Sequence, residues 1–123
     1  MRVKRNAEED AIQAQVIELL VVAAVPGLIY FAVPNGGYRD PQTARTLKLT
    51  GVRPGVGDIE IIKDRLPHFL EMKTKKGRQS EDQEKFEADC IAQGIPYRIA
   101  RSRDEAQDIL TEWGMLRIRK ANQ

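Results

Sequence analysis

The order of segments along these 123 residues predicts a three-layer α/β domain, a central mixed sheet flanked by helices. Three observations carry that prediction. Helical and strand-like periodicities succeed one another along the chain. Two strand-like runs are separated only by Lys63-Asp64-Arg65-Leu66-Pro67. No internal repeat or low-complexity linker divides the sequence. A chain of this length is expected to form one domain, residues 1–123, burying roughly two-thirds of its unfolded surface.

Residues from about 7 to 24 predict the first helix, with Ile12, Val16, Leu19, Leu20 and Ala23 at helical spacing and Pro26-Gly27 as the stop signal. Leu28 to Val33 reads as a buried strand. Pro34-Asn35-Gly36-Gly37-Tyr38 is a turn cluster, and Thr43 to Leu49 is a short helix ended by Gly51. Gly55 to Ile62 and His68 to Lys73 are two strands joined closely enough for a hairpin. After Gly77, Ser80 caps a helix running to about Gln93, and Pro96 to Ala100 is a further strand. Ser102 with Glu105 forms a capping box that opens a helix with Ala106, Ile109, Leu110 and Trp113 on its buried face. The tail Met115 to Arg119 is read as one more strand.

Composition excludes several classes. Twenty Lys+Arg against 18 Asp+Glu give a formal charge of +2, so nucleic-acid binding would have to come from local patches. The single Cys90 excludes an internal disulfide and a multi-cysteine zinc site, and the single His68 excludes a His-rich cluster. Any metal is therefore oxygen-ligated. Cys90, with Phe86 and Ile91 as helical neighbours, reads as a small buried hydrophobe. Val16 to Val25 is apolar but carries Glu18 and stops at Pro26, which makes a core helix and not a membrane span. Glu8-Glu9-Asp10 interrupts the basic N-terminus in a way unsuited to a secretory signal, so an intracellular protein is expected.

The chemistry concentrates at Asp58 and Glu71-Met72-Lys73. Alternation along a strand puts Glu71 and Lys73 on one face, and hairpin pairing brings Asp58 beside Glu71. Two carboxylates that close resist joint ionisation unless a cation lies between them. Mg2+ suits such oxygens and takes phosphate oxygens as further ligands. It also lowers the pKa of a bound water from about 15.7 towards neutrality. The Lys73 ammonium can orient the attacking water and stabilise the charge of a pentavalent transition state. A solvated strand face explains the same three residues, since charged residues make up 31% of the chain. The surrounding residues have to decide between these readings.

Glu9 and Gln13 fall within the arc of Ile12, Val16 and Leu20. Glu9 either complements the helix dipole or brings a further carboxylate near the metal. Gln13 would then bond to a ligand or to phosphate. Gln83 shares a helix face with Phe86 and Cys90. It either closes a capping box with Ser80 or sits at the edge of the site. Lys75, Lys76 and Arg78 cluster beside Lys73, as solvated charge or as a grip on a nucleic-acid backbone, and Arg39, Arg45, Lys48 and Arg53 would extend that track. Asn35-Gly36-Gly37 is a turn or a loop that lets backbone approach DNA. Gly51-Val52-Arg53-Pro54-Gly55-Val56-Gly57 precedes a strand, where a phosphate-cradling loop would precede a helix, and is read as a flexible approach to Asp58.

Taken together these residues resemble the VRR-NUC domain, a branch of the restriction-endonuclease-like PD-(D/E)XK nucleases. The resemblance spans nearly the whole chain. It rests on Glu9-x-x-Ile12-Gln13, Pro34-Asn35-Gly36-Gly37, Gly55-Val56-Gly57-Asp58-Ile59, Glu71-Met72-Lys73, Gly77-Arg78-Gln79-Ser80-x-x-Gln83 and the closing strand and helix. It implies a restriction-endonuclease-like fold and a Mg2+- or Mn2+-dependent nuclease. Asp58, Glu71 and the Met72 carbonyl would hold the ion, Lys73 would act on the water, and Glu9 and Gln83 would match the family's helical glutamate and final glutamine. The position before the catalytic aspartate is often proline in the family, and here it is Gly57. Standalone domains of this kind look like phage or bacterial proteins, which implies the cytoplasm of a bacterial or phage-infected cell. A minimal domain without an added reader is expected to recognise DNA shape, and a homodimer would set two sites on two strands, as a four-way (Holliday) junction requires. Flap cleavage, nicking, or a catalytically idle DNA-binding module are the alternatives. Val21, Val22, Val25 and Leu28 are candidates for core or for interface.

Overall fold

The computed structural model describes residues 2–3, 6–34, 37–38 and 40–117. In chain order the elements are β1 (Arg2–Val3), α1 (Ala7–Ala23), β2 (Ile29–Ala32), β3 (Gly37–Tyr38), α2 (Pro41–Leu49), β4 (Ile59–Lys63), β5 (Leu66–Met72), α3 (Glu81–Ala92), β6 (Tyr97–Ala100) and α4 (Arg103–Glu112). A four-stranded sheet has the order β2-β4-β5-β6, and β1 pairs with β3 in a separate short ribbon. The first two pairings of the main sheet are antiparallel and β5 with β6 is parallel, so the sheet is mixed as predicted. The β1–β3 ribbon has no counterpart in the sequence prediction, because two-residue strands carry no periodicity.

Helices lie on both faces of the sheet. Val16, Leu19, Leu20 and Ala23 of α1 and Ala106, Ile109 and Leu110 of α4 pack with Ile59, Ile61, Leu70, Met72 and Ala100 in the larger core. Across the sheet, Phe86 and Cys90 of α3 meet Phe69 and Tyr97 in a smaller cluster. Phe69 and Phe86 stand edge to face with ring centroids 4.8 Å apart. Cys90 is buried there as expected, whereas Ile91 points to solvent, one position round the helix.

The termini of the helices follow from local chemistry. The Asn6 side chain accepts from the amides of Glu8 and Glu9 and starts α1. Asp40 caps α2 and Pro41 takes its first turn, so this helix begins two residues earlier than predicted. Ser80 and Gln83 form the full capping box of α3. At α4 only half of the predicted box exists. Ser102 accepts from the Glu105 amide, but the Glu105 carboxylate turns to the amide of Arg101. Arg117 returns to α1 and donates to the carbonyls of Val22 and Ala24, supplying a cation where the last turn of that helix has none.

Three predictions are corrected. Leu28 to Val33 is not a buried strand: β2 forms the sheet edge, with Ile29 and Phe31 exposed, because an apolar run does not distinguish an edge from a centre. The apolar stretch of α1 is only partly core, with Val21 and Val22 about 70% exposed and Val25 and Leu28 half-buried. The approach to Asp58 is wedged rather than flexible. Gly55 has φ +83°, and a Cβ there would lie 2.4 Å from the backbone of Asp82. A Cβ on Gly57 would come within 2.9 Å of the Phe69 Cβ, which explains glycine at this position.

The expected tail strand runs past the described residues, and within them Leu116 makes one antiparallel bridge to Ala24. The readings placed on Asn35, Gly36 and Arg39 also lie outside the described residues. No helix among the described residues is long and apolar enough to cross a membrane.

Candidate functional site

The β4–β5 hairpin turns through two residues, Asp64 and Arg65, both with positive φ, and this tight turn sets the register of everything beyond it. Lys63 faces Leu66 and Ile59 faces Leu70. One further step places Asp58 opposite Glu71. The Asp58 Oδ2 accepts from the Met72 amide at 2.7 Å, while its own carbonyl accepts from the Val33 amide. Asp58 is thereby held between two strands.

Because side chains alternate, Leu70 and Met72 enter the larger core, and Phe69, Glu71 and Lys73 face α3. Asp58 is 2% exposed, Glu71 1% and Lys73 7%. These are not residues of a solvated strand face. Three charged groups are withdrawn from water together, which costs free energy unless they compensate one another.

Glu71 bears the largest perturbation. Burial pushes its carboxyl up to about 9, the negative charge of Asp58 adds to that, Lys73 opposes it, and Glu9 contributes a smaller upward push. Without a cation the acid is therefore held protonated at neutral pH. A divalent ion between Asp58 and Glu71 would reverse this balance. The donor set suits such an ion: both carboxylates offer oxygens, and the Met72 carbonyl leaves an extended strand on the same side as its amide, towards Asp58.

Both oxygens of Glu71 are also engaged from the α3 side. Gln83 Nε2 donates to Oε2 at 2.9 Å, and the Tyr97 hydroxyl reaches Oε1 at 3.5 Å. The two readings of Gln83 are both realised, because its Oε1 accepts from the Ser80 amide in the capping box while its Nε2 reaches the site. Gln79 Nε2 in turn donates to the Tyr97 oxygen at 3.2 Å.

Glu9 sits half-buried in the first turn of α1, near enough for its charge to act on Glu71. Among the described residues, however, no three Asp, Glu, His or Cys side chains gather tightly enough to hold one ion. Gln13 is half-buried one turn further along α1.

The basic residues divide. Lys75, Lys76 and Arg78 are exposed on the loop between β5 and α3. Arg53 is committed elsewhere: its Nη2 pairs with Asp89 at 2.6 Å, and its guanidinium lies over the Phe86 ring. It pins the approach loop to α3, and its position in a glycine-rich loop gave no hint of that.

Two further residues escaped the sequence analysis. Arg101 Nη1 donates to the carbonyls of Thr74 at 2.7 Å, Lys75 at 3.4 Å and Gly77 at 2.8 Å, stapling the loop that bears the exposed lysines. Tyr97 looked like an ordinary strand aromatic. Its only sequence signal was its parity with Ile99, which places it on the α3 face.

No protein-family model matches the chain, and no curated protein matches it. Two solved structures share its fold. One, a VRR_NUC domain, aligns with a TM-score of 0.59 at 18% identity over 85% of this chain and 95% of its own. The other, a VRR_NUC domain protein, gives 0.67 at 16% identity over 89% of each chain. At these identities the likeness is one of fold.

Proposed function

We propose that this chain, which has the fold of the VRR_NUC domain structures, is a metal-dependent nuclease that hydrolyses DNA phosphodiesters. The single observation carrying this reading is the burial of Asp58, Glu71 and Lys73 together on one face of the sheet, with Glu71 driven up to about 9. A packed domain gains nothing in stability from such a cluster. A hydrolytic centre needs one.

Asp58, Glu71 and the Met72 carbonyl are the residues that would hold Mg2+ or Mn2+, and Glu9 would add negative charge from α1. When bound, the ion supplies electrophilic pull on the phosphodiester and a water acidic enough to attack it. Asp58 is kept in place by the Met72 amide, so its carboxylate keeps a fixed direction. Glu71 would release its proton to solvent if the ion were bound, and Gln83 would donate to the resulting carboxylate. Lys73, buried beside both, orients the attacking water and offsets the negative charge that grows on the phosphoryl oxygens.

Lys75, Lys76 and Arg78 would hold the DNA backbone on the loop next to the site, with Gln13 and Asn35 proposed as further contacts. Arg53 would join them only by leaving Asp89. The outer surface of α3, with Glu81, Asp82, Glu84, Glu87 and Asp89, repels phosphate and would turn the strand away from that helix. The substrate reading is a branched duplex, a four-way junction above all, cut by a homodimer whose contact would use the exposed Val21 and Val22 of α1.

The test is cleavage of a labelled immobile four-way junction beside a flap and a linear duplex of matching sequence, with Mg2+, Mn2+ or EDTA. Asp58→Ala and Glu71→Ala serve as controls. Metal-dependent, paired incisions in the junction, lost in both variants, are expected. Equal cutting of all three substrates would remove the junction preference and leave the nuclease. Normal turnover in Glu71→Ala would overturn the metal assignment.

A further inference from the structure

The phenol of Tyr97 is a buried polar group that the hydrolytic scheme leaves unused. It is 8% exposed, on the parallel strand next to β5, within the cluster of Phe69, Phe86 and Cys90. An aromatic ring suffices to fill that cluster, and Phe69 and Phe86 fill it without a hydroxyl. The hydroxyl carries a desolvation cost, so its partners indicate what it does.

Those partners fix the direction of its proton. Gln83 Oε1 is taken by the Ser80 amide, so the amide nitrogen of Gln83 is the end that faces Glu71. Gln79 likewise presents its Nε2 to the Tyr97 oxygen, which must then accept. A phenol has one proton. With its oxygen accepting from Gln79, the proton is free to point at Glu71 Oε1, 3.5 Å away. Glu71 thus receives one donor on each oxygen.

Donors on both oxygens favour the carboxylate form of Glu71, against the burial and the Asp58 carboxylate, which favour the acid. The arrangement is matched to the loaded site. We propose that Tyr97, backed by Gln79, is a positioning residue that holds the Glu71 carboxylate in the orientation that receives the divalent ion. This rests on the metal reading of Asp58 and Glu71. Groups that orient a metal ligand from behind typically contribute about 10–100-fold in metal affinity or activity.

The experiment is Mn2+ binding followed by electron paramagnetic resonance on the whole chain, comparing wild type with Tyr97→Phe, Gln79→Leu and Glu71→Gln. Phe keeps the ring in its packing and removes only the hydroxyl, so metal-free thermal unfolding should persist with its cooperativity intact. Tyr97→Phe is expected to weaken Mn2+ binding about tenfold, and Gln79→Leu to weaken it less in the same direction. Gln79 does not belong to the aromatic cluster, so its effect separates positioning from packing. Wild-type Mn2+ affinity in Tyr97→Phe, with binding lost in Glu71→Gln, would overturn the role of Tyr97 and leave the metal site standing. No Mn2+ binding by the wild type would overturn both.

Discussion

The two faces of β4 and β5 are written in alternate residues of the same two strands and end in opposite chemistry. On one face Ile59, Ile61, Leu70 and Met72 are sealed against α1 and α4. On the other, Asp58, Glu71 and Lys73 are sealed almost as completely against α3, beside Phe69. Burial is the same, but its energetic meaning is reversed. Apolar side chains are stabilised by leaving water, whereas the charged cluster is driven to relieve its burial through protonation, hydrogen bonds or a bound cation. One strand thus supplies both the stability of the domain and the tension that makes a site, and a one-residue slip in register would exchange them.

The largest expected effect falls on the apolar face. Leu70→Ala removes a fully buried side chain and should cost about 2–5 kcal/mol of stability by urea unfolding, with the remaining folded protein still active. A loss of turnover at full stability would mean that the two faces are less separate than their packing indicates. On the other face, Lys73→Ala should lower single-turnover cleavage by about 10²–10³-fold, roughly 3–4 kcal/mol of transition-state stabilisation, with little change in DNA affinity. The opposite pattern, with affinity lost and turnover kept, would reduce Lys73 to a phosphate contact.

An effect that is smaller per pH unit and more diagnostic concerns Glu71 in EDTA. Its folded value of about 9 lies above the ordinary 4.5, so the folded state holds a proton that the unfolded state has lost. The contribution of the protonated group is fully present below about pH 4.5 and is lost as pH rises towards 9, at up to about 1.4 kcal/mol per pH unit. Glu71→Gln should flatten that decline. An unchanged slope in thermal melts between pH 5 and 9 would show that the carboxyl is not held as an acid. Saturating Mn2+ should oppose the same decline in wild type, because the ion displaces the proton.

The smallest effect is expected at the loop. Arg101→Ala removes the staple across Thr74, Lys75 and Gly77 and should weaken DNA binding by on the order of 1 kcal/mol, about fivefold, while leaving Mn2+ binding intact. Equal DNA affinity in fluorescence anisotropy would mean that Lys75, Lys76 and Arg78 need no ordered backbone.

The types of the longer elements, the Ser80–Gln83 cap and the pairing of Asp58 with Glu71 were legible in the sequence, because each depends on residues near one another in the chain. Periodicity marks a strand, Ser80 with Gln83 marks a helix start, and a short connection limits two strands to one register. The shared face of Glu71 and Lys73 was legible for the same reason. Other features were decided by packing between distant segments. Only the assembled sheet made β2 an edge, left Val21 and Val22 in solvent and wedged Gly55 against α3. Only the meeting of β6 with β5 set Tyr97 behind Glu71, and only α3 drew Arg53 onto Asp89. Local sequence fixes which way a side chain points along its own element; what it meets there depends on chain tens of residues away, brought close by burial of surface that no single segment covers.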